Sequence, residues 1–260
     1  VALSTFVVSA AGWRAGYITF AVMIVFIGIL VALYVRDRQN DVIASRGKRL
    51  TPPMPAAGAM SNSDGFTLKE VLRMKSFYFL AIGHAIPAFS YGSVLTQLIP
   101  HFEAEGFSSG EAAFGLMLLA VFGIVSKILF GRLSESITAR WAMVISLGIQ
   151  AVGMVLLVLA GGSIAVWPVI VFYAMGFGAM GALIPLTVTE AFGLRAYGTI
   201  LGVTSMVGAG PLMIGPVMAG RLFDLYGTYD AAFIIIAVMF VLGAVSMSLA
   251  RRPEMPGRSA

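Results

Sequence analysis

An all-α protein that crosses a membrane several times is the fold class that three features of the sequence predict. Of its 260 residues 59% are hydrophobic and 11% charged, and the mean hydropathy is +0.93, which is more apolar side chain than a soluble core of this size hides. The apolar residues gather into seven runs of about 20, the length a helix needs to cross a hydrocarbon core of roughly 30 Å. Lys and Arg, finally, are concentrated in alternate connecting segments. No alternating pattern points to a β-barrel.

The elements follow in order. Val1 to Ala10 is apolar but half a span long and reads as the end of a helix, followed by a turn at Ala11 to Arg14 in which Trp13 takes an interfacial place. The first complete span is Ala15 to Val35. Residues 36–75 form a polar linker with eight Lys or Arg against four Asp or Glu, broken by Thr51-Pro52-Pro53 and Ser61 to Gly65. Near its end Thr67 stands three before Glu70, a capping-box spacing, with Leu68, Val71 and Leu72 as an apolar edge, so a short surface helix is expected there. The remaining spans are Phe77 to Leu98, Ala112 to Phe130, Trp141 to Ala160, Trp167 to Thr187, Gly198 to Gly220 and Ala231 to Ala250. This divides the chain into residues 1–35, the end of a first helical half; 36–75, a linker; and 76–260, a six-helix half.

Fourteen Lys or Arg fall on the side of the linker and the C-terminus, and only Arg14 and Arg221 on the other. The positive-inside rule places the linker and the C-terminus in the cytoplasm, and the chain as a multi-pass protein in a plasma or bacterial inner membrane. The same bias explains a pI near 9.7, so nucleic acid is not an expected partner. With no Cys there is no disulfide framework or thiolate metal site, and the two His lie 17 residues apart. Neither a Gly-x-x-x-x-Gly-Lys-Ser/Thr phosphate loop nor a His-Glu-x-x-His metal site is present. No metal, cofactor or enzymatic activity is expected.

Lys127 is the one Lys or Arg inside a span, and an ionisable group in lipid marks a candidate site. Ala120, Gly123, Lys127 and Gly131 share a helix face whose small residues suit helix contact. Two readings stand open: Lys127 points into the bundle to meet an anion, or it snorkels to the membrane end at Phe130, about 4.5 Å along the helix. His84 and Tyr91 share a face with Ser90 and Gln97 beside it, which suggests a water-lined cavity or a proton relay, or simply a histidine bonded to a neighbouring helix. His101 is expected outside the span, at the interface. Gly210-Pro211 and Gly215-Pro216, with Gly220, predict a kinked or broken hinge helix. Gly176, Gly178 and Gly181 predict close packing. Arg132, Glu135 and Arg140 are candidates for an ion-pair latch between helix ends.

The segment Gly131-Arg132-Leu133-Ser134-Glu135-Ser136-Ile137-Thr138-Ala139-Arg140 resembles the repeated Gly-x-x-x-Asp-Arg/Lys-x-Gly-Arg/Lys-Arg/Lys loop of the major facilitator superfamily. Gly131, Glu135 (for Asp) and Arg140 are in register, while Ser136, Thr138 and Ala139 depart. Gly12-Trp13-Arg14, Phe66 to Leu72, Phe192-Gly193, and Gly215-Pro216 with Gly220, Asp224, Gly227 and Tyr229 resemble the oxalate/formate antiporter and monocarboxylate transporter branch. The resemblance implies a helix bundle in which this chain supplies helices six to twelve of twelve plus the end of helix five. It also implies a missing N-terminal half as partner and a gating role for Gly131, Arg132, Glu135 and Arg140. In that branch a basic residue at the place of Lys127, usually Arg, helps to bind a carboxylate.

The expected function is secondary active transport of a small organic anion, a monocarboxylate or dicarboxylate, by alternating access. Symport, with a coupling proton, and exchange both stay open. Lys127, His84, Tyr91 and Ser90 are the candidate substrate residues. The alternative is a seven-helix receptor or photosensor with Lys127 as attachment point.

Overall fold

The computed structural model describes residues 2–34 and 65–253. The linker before Gly65, with its proline breakers, and the tail after Pro253 lie outside the described residues. Contacts sort the chain into two compact units, Val1–Ala59 and Met60–Ala260. Among the described residues seven helical stretches are long and apolar enough to cross a membrane.

In the first unit, helix α1 (Ala2–Tyr34) is interrupted at Gly12, whose φ of 79° and ψ of 169° belong to glycine rather than to a helix. The turn expected at residues 11–14 is therefore a break at one residue. The Arg14 guanidinium lies 5.2 Å from the Trp13 ring centre, and Tyr17 meets the Trp13 ring edge-on.

The second unit holds α2 (Leu68–Val71), α3 (Lys75–Ala104), α4 (Ser109–Ile137), α5 (Ala139–Ala160), α6 (Val166–Phe177), α7 (Met180–Phe192), α8 (Tyr197–Tyr226) and α9 (Asp230–Leu249). The expected capping box starts α2: Glu70 accepts from the Thr67 amide at 2.7 Å, and the Thr67 hydroxyl accepts from the Glu70 amide at 3.4 Å. The chain before α2 is pinned by one antiparallel bridge, Gly65 to Gly193, with the Phe66 amide donating to the Phe192 carbonyl at 3.0 Å.

Helix α3 packs chiefly on α8 and α9, α5 on α9 and α6, and α4 on α6. Lipid offers no hydrophobic drive for helices to associate, so close backbone approach at small residues takes over. The prolines of α8 show how this works. The helix is continuous from Tyr197 through Pro211 and Pro216 to Tyr226, so the expected break at Gly210-Pro211 and Gly215-Pro216 is absent. Pro216 has no N–H to offer the Leu212 carbonyl four residues back. Gly92 of α3 sits against that carbonyl, and Gly215 sits against the Phe89 carbonyl, so the freed backbone is covered by a neighbour.

Three further expectations change. The segment 131–140 is not a loop: Gly131, Arg132 and Glu135 lie on the last turns of α4, and only Thr138, with a φ of 81°, stands outside helix. Capping of α5 by Glu190 accounts for the short turn, because its carboxylate accepts from the Ala139 amide at 2.6 Å. His101 is not interfacial but 1% exposed on α3, enclosed by Phe102, Tyr229 and Phe233. The fifth span is one stretch, Val166–Phe192, as expected, but its helical hydrogen bonding is interrupted at Gly178 and Ala179, whose φ and ψ stay helical, and this divides it into α6 and α7.

That separation has a packing cause. Gly178 lies directly on the backbone of Gly123 in α4, leaving no room for a Cβ. Of the glycines expected to pack closely, Gly178 meets Gly123 and Gly176 meets Ser146 and Gln150, while Gly181 faces the Lys127 side chain at ordinary contact distance. A Gly178→Val substitution is expected to destabilise the bundle by about 1–3 kcal/mol through overpacking. Thermal unfolding in detergent micelles checks it, with Gly131→Ala as the control, since nothing lies within 4 Å of the Cβ position there.

Candidate functional site

A broken helix inside a membrane protein needs its freed carbonyls satisfied, since lipid supplies no donor. At the end of α6 the Gly178 amide reaches back to Ala174, but the Ala179 amide turns to Gly176, so the Met175 carbonyl is passed over. Ser126 of α4 donates to it at 2.6 Å, and Ser146 of α5 donates to the Gly176 carbonyl at 2.9 Å. Gln150 braces Ser146 at 3.3 Å, and Gly176 packs against both residues. Two serines and a glutamine thus hold the break open as a fixed feature. None of the three was singled out by sequence; a hydroxyl or an amide in an apolar run was the available signal.

Lys127 stands next to Ser126, and its side chain lies along the first turn of α7. A Cβ at Gly181 would sit 3.4 Å from Lys127 Cε and 3.8 Å from Nζ, ordinary contact distances, so the lysine side chain lies against α7 there. Lys127 is exposed rather than buried in the bundle, and α4 continues ten residues beyond it to Ile137, about 15 Å. At 29 residues α4 is longer than a hydrocarbon core of roughly 30 Å requires, so both readings of Lys127 stand. The Lys127 ammonium is a positive charge suited to an anion.

Tyr91 of α3 is half-buried and stacks flat on Phe177, the last residue of α6, with ring centres 4.3 Å apart and planes 5° from parallel. The aromatic pair therefore joins α3 to the last residue of α6. His84 and Tyr91 do share a face, both meeting the α6–α7 pair, but His84 is 4% exposed and lines no open cavity. It contacts the Thr187 hydroxyl of α7 at 3.1 Å. Ser90 is fully buried, its hydroxyl unpaired among the described residues. Gln97 bridges α3 to α8 and the chain before α9, donating to the Pro216 carbonyl at 3.4 Å and accepting from Tyr229 at 3.1 Å.

The expected latch residues separate. Arg132 and Glu135 are exposed on α4. Arg140 donates to the Ala250 carbonyl at 3.3 Å and lies 5.1 Å over the Trp141 ring. It lines a cleft of about 170 Å³ with Thr138, Thr187, Glu190 and Arg252 at the ends of α5, α7 and α9.

The sequence matches the family model of the Major Facilitator Superfamily over residues 1–212. Human monocarboxylate transporter 12 is 30% identical over 185 residues, which are 69% of this chain and 36% of that protein. Human monocarboxylate transporter 2 is 24% identical over 180 residues, 68% of this chain and 38% of that protein. The chain thus spans well under half the length of these relatives. Among solved structures, the fucose:proton symporter of E. coli is similar with a TM-score of 0.64 at 18% identity, over 92% of this chain and 56% of that one, a likeness of fold.

Removing one brace tests the account of the break. Ser126→Ala bares the Met175 carbonyl, and the expected loss is about 1–3 kcal/mol, the desolvation penalty of an unpaired buried acceptor. Ser126→Thr, which keeps a hydroxyl, is expected to recover most of it. Thermal unfolding of the two variants in micelles reads both effects.

Proposed function

The chain belongs to the major facilitator superfamily, and on that footing we propose that it forms the anion-binding part of a secondary active transporter for small organic acids. The relatives it matches are transporters, not enzymes, and the chain is a multi-pass membrane protein. The observation that carries the proposal is the lysine at the broken helix: Lys127 Nζ lies beside Gly181 where α7 begins. A carboxylate there meets an ammonium.

Alternating access is part of the same proposal. Positive charge on an open groove in a membrane protein is costly without an anion, and the acid offsets it by forming a charge-assisted hydrogen bond. Binding thus stabilises whichever arrangement closes over the groove, which is what a transported substrate must do. The whole transporter, with the half that faces this groove, is part of the proposal, as is the cytoplasmic placing of the linker and C-terminus from the Lys and Arg asymmetry. The printed names of two relatives, monocarboxylate transporters, support a carboxylate. Membership of a transporter family leaves the receptor or photosensor alternative without a supporting observation.

Counterflow of labelled mono- and dicarboxylates into proteoliposomes, with the full-length protein that carries this sequence, tests the reading. Lys127→Ala is expected to weaken exchange of the accepted acid by about 2 kcal/mol, roughly 30-fold, and Lys127→Arg to keep part of it. Exchange unchanged in Lys127→Ala overturns the reading.

A further inference from the structure

We infer that the cleft at the ends of α5, α7 and α9 is a binding site for the phosphate group of an anionic membrane lipid. The cleft shares no residue with the groove at Lys127, so a lipid there is independent of the substrate reading and needs only the multi-pass placement of the chain.

Helix length sets the depth of the cleft. Helix α9 has 20 residues and α5 has 22, so they run about 30 and 33 Å, close to a hydrocarbon core of roughly 30 Å. The end of α9 at Leu249 and the start of α5 at Ala139 therefore stand at headgroup level. Trp141, in the first turn of α5 and 44% exposed, is the kind of side chain that marks a membrane interface. The side is that of the linker, because α7 ends at Phe192, whose carbonyl accepts from the Phe66 amide.

The walls grade in the matching direction. Leu80 and Met247 belong to the helical parts of α3 and α9, Arg140 and Glu190 to the first turn of α5 and the last turn of α7, and Arg252 lies beyond the end of α9. Apolar side chains thus lie toward the membrane core and charged ones toward the interface, the order of groups along a phospholipid.

Charge and hydrogen bonding select the headgroup. Arg140 and Arg252 bring two guanidinium groups to the cleft against one carboxylate, Glu190, which leaves one net positive charge. That carboxylate accepts from the Ala139 amide at 2.6 Å. Among the described residues the Arg140 guanidinium makes one hydrogen bond, to the Ala250 carbonyl at 3.3 Å, and it lies 5.1 Å over the Trp141 ring. A guanidinium presents several N–H donors in a planar fork that fits the oxygens of a phosphate, so most of this fork is open to one. A phosphodiester with one negative charge neutralises the cleft. Basic pockets between helices at the membrane surface hold anionic headgroups on this principle.

Native mass spectrometry of the full-length protein that carries this sequence, in micelles titrated with phosphatidylglycerol or phosphatidylcholine, tests the site. Phosphatidylglycerol, with its net negative charge, is expected to bind about fivefold or more tighter than the zwitterionic lipid. Arg140→Gln and Arg252→Gln are each expected to weaken it about fivefold, whereas Arg73→Gln, at an exposed arginine on the same side outside the cleft, keeps the wild-type affinity. Arg252 stands outside any helix, so its variant reads the site without disturbing a span. Wild-type binding in Arg252→Gln, equal affinity for the two lipids, or the same loss in Arg73→Gln as in the cleft variants overturns the site. Displacement of phosphatidylglycerol by millimolar inorganic phosphate, with the same dependence on Arg140 and Arg252, assigns the cleft to a soluble phosphate and overturns the lipid.

Discussion

The constraint on which this structure depends is that no backbone group inside a bilayer can turn to water for a partner. Nearly every unusual residue of the second unit answers to it. Ser126 and Ser146 serve the carbonyls at the end of α6, Gly92 covers the one freed by Pro216, and Glu190 takes the first amide of α5. Glycines supply close approach where hydroxyls supply hydrogen bonds, and the two devices meet at Gly123, Ser126, Gly176 and Gly178. A helix can end in mid-bundle because its neighbours finish its hydrogen bonding.

Charge placement follows from that solution. The interruption at Gly178 and Ala179 lies just before Gly181, the residue against which the Lys127 side chain rests. Rigid bracing from α4 and α5 keeps the groove in one geometry, so an anion that enters does not also have to organise the backbone.

The spans and the capping box at Thr67 and Glu70 were legible, because each is a local pattern of composition or spacing. Which glycine-rich segment breaks was not. Pro211 and Pro216 carry the stronger local signal for a break, yet α3 covers the carbonyl freed at Leu212, and α8 stays helical. Gly178 carries the weaker signal but lies on Gly123, 55 residues away in sequence. His101 escaped for a like reason: its aromatic enclosure comes partly from Tyr229 and Phe233, residues that only the fold brings near. Helix continuation through Gly131 to Ile137 was hidden by the charged residues on an exposed end.

The bridge between Gly65 and Gly193 ties the end of the linker to the far end of the same rod, α7, that starts beside Lys127. Thirteen residues make α7 about 20 Å long and stiff along its axis. The end of the linker and the helix that passes Lys127 are thereby held in one unit.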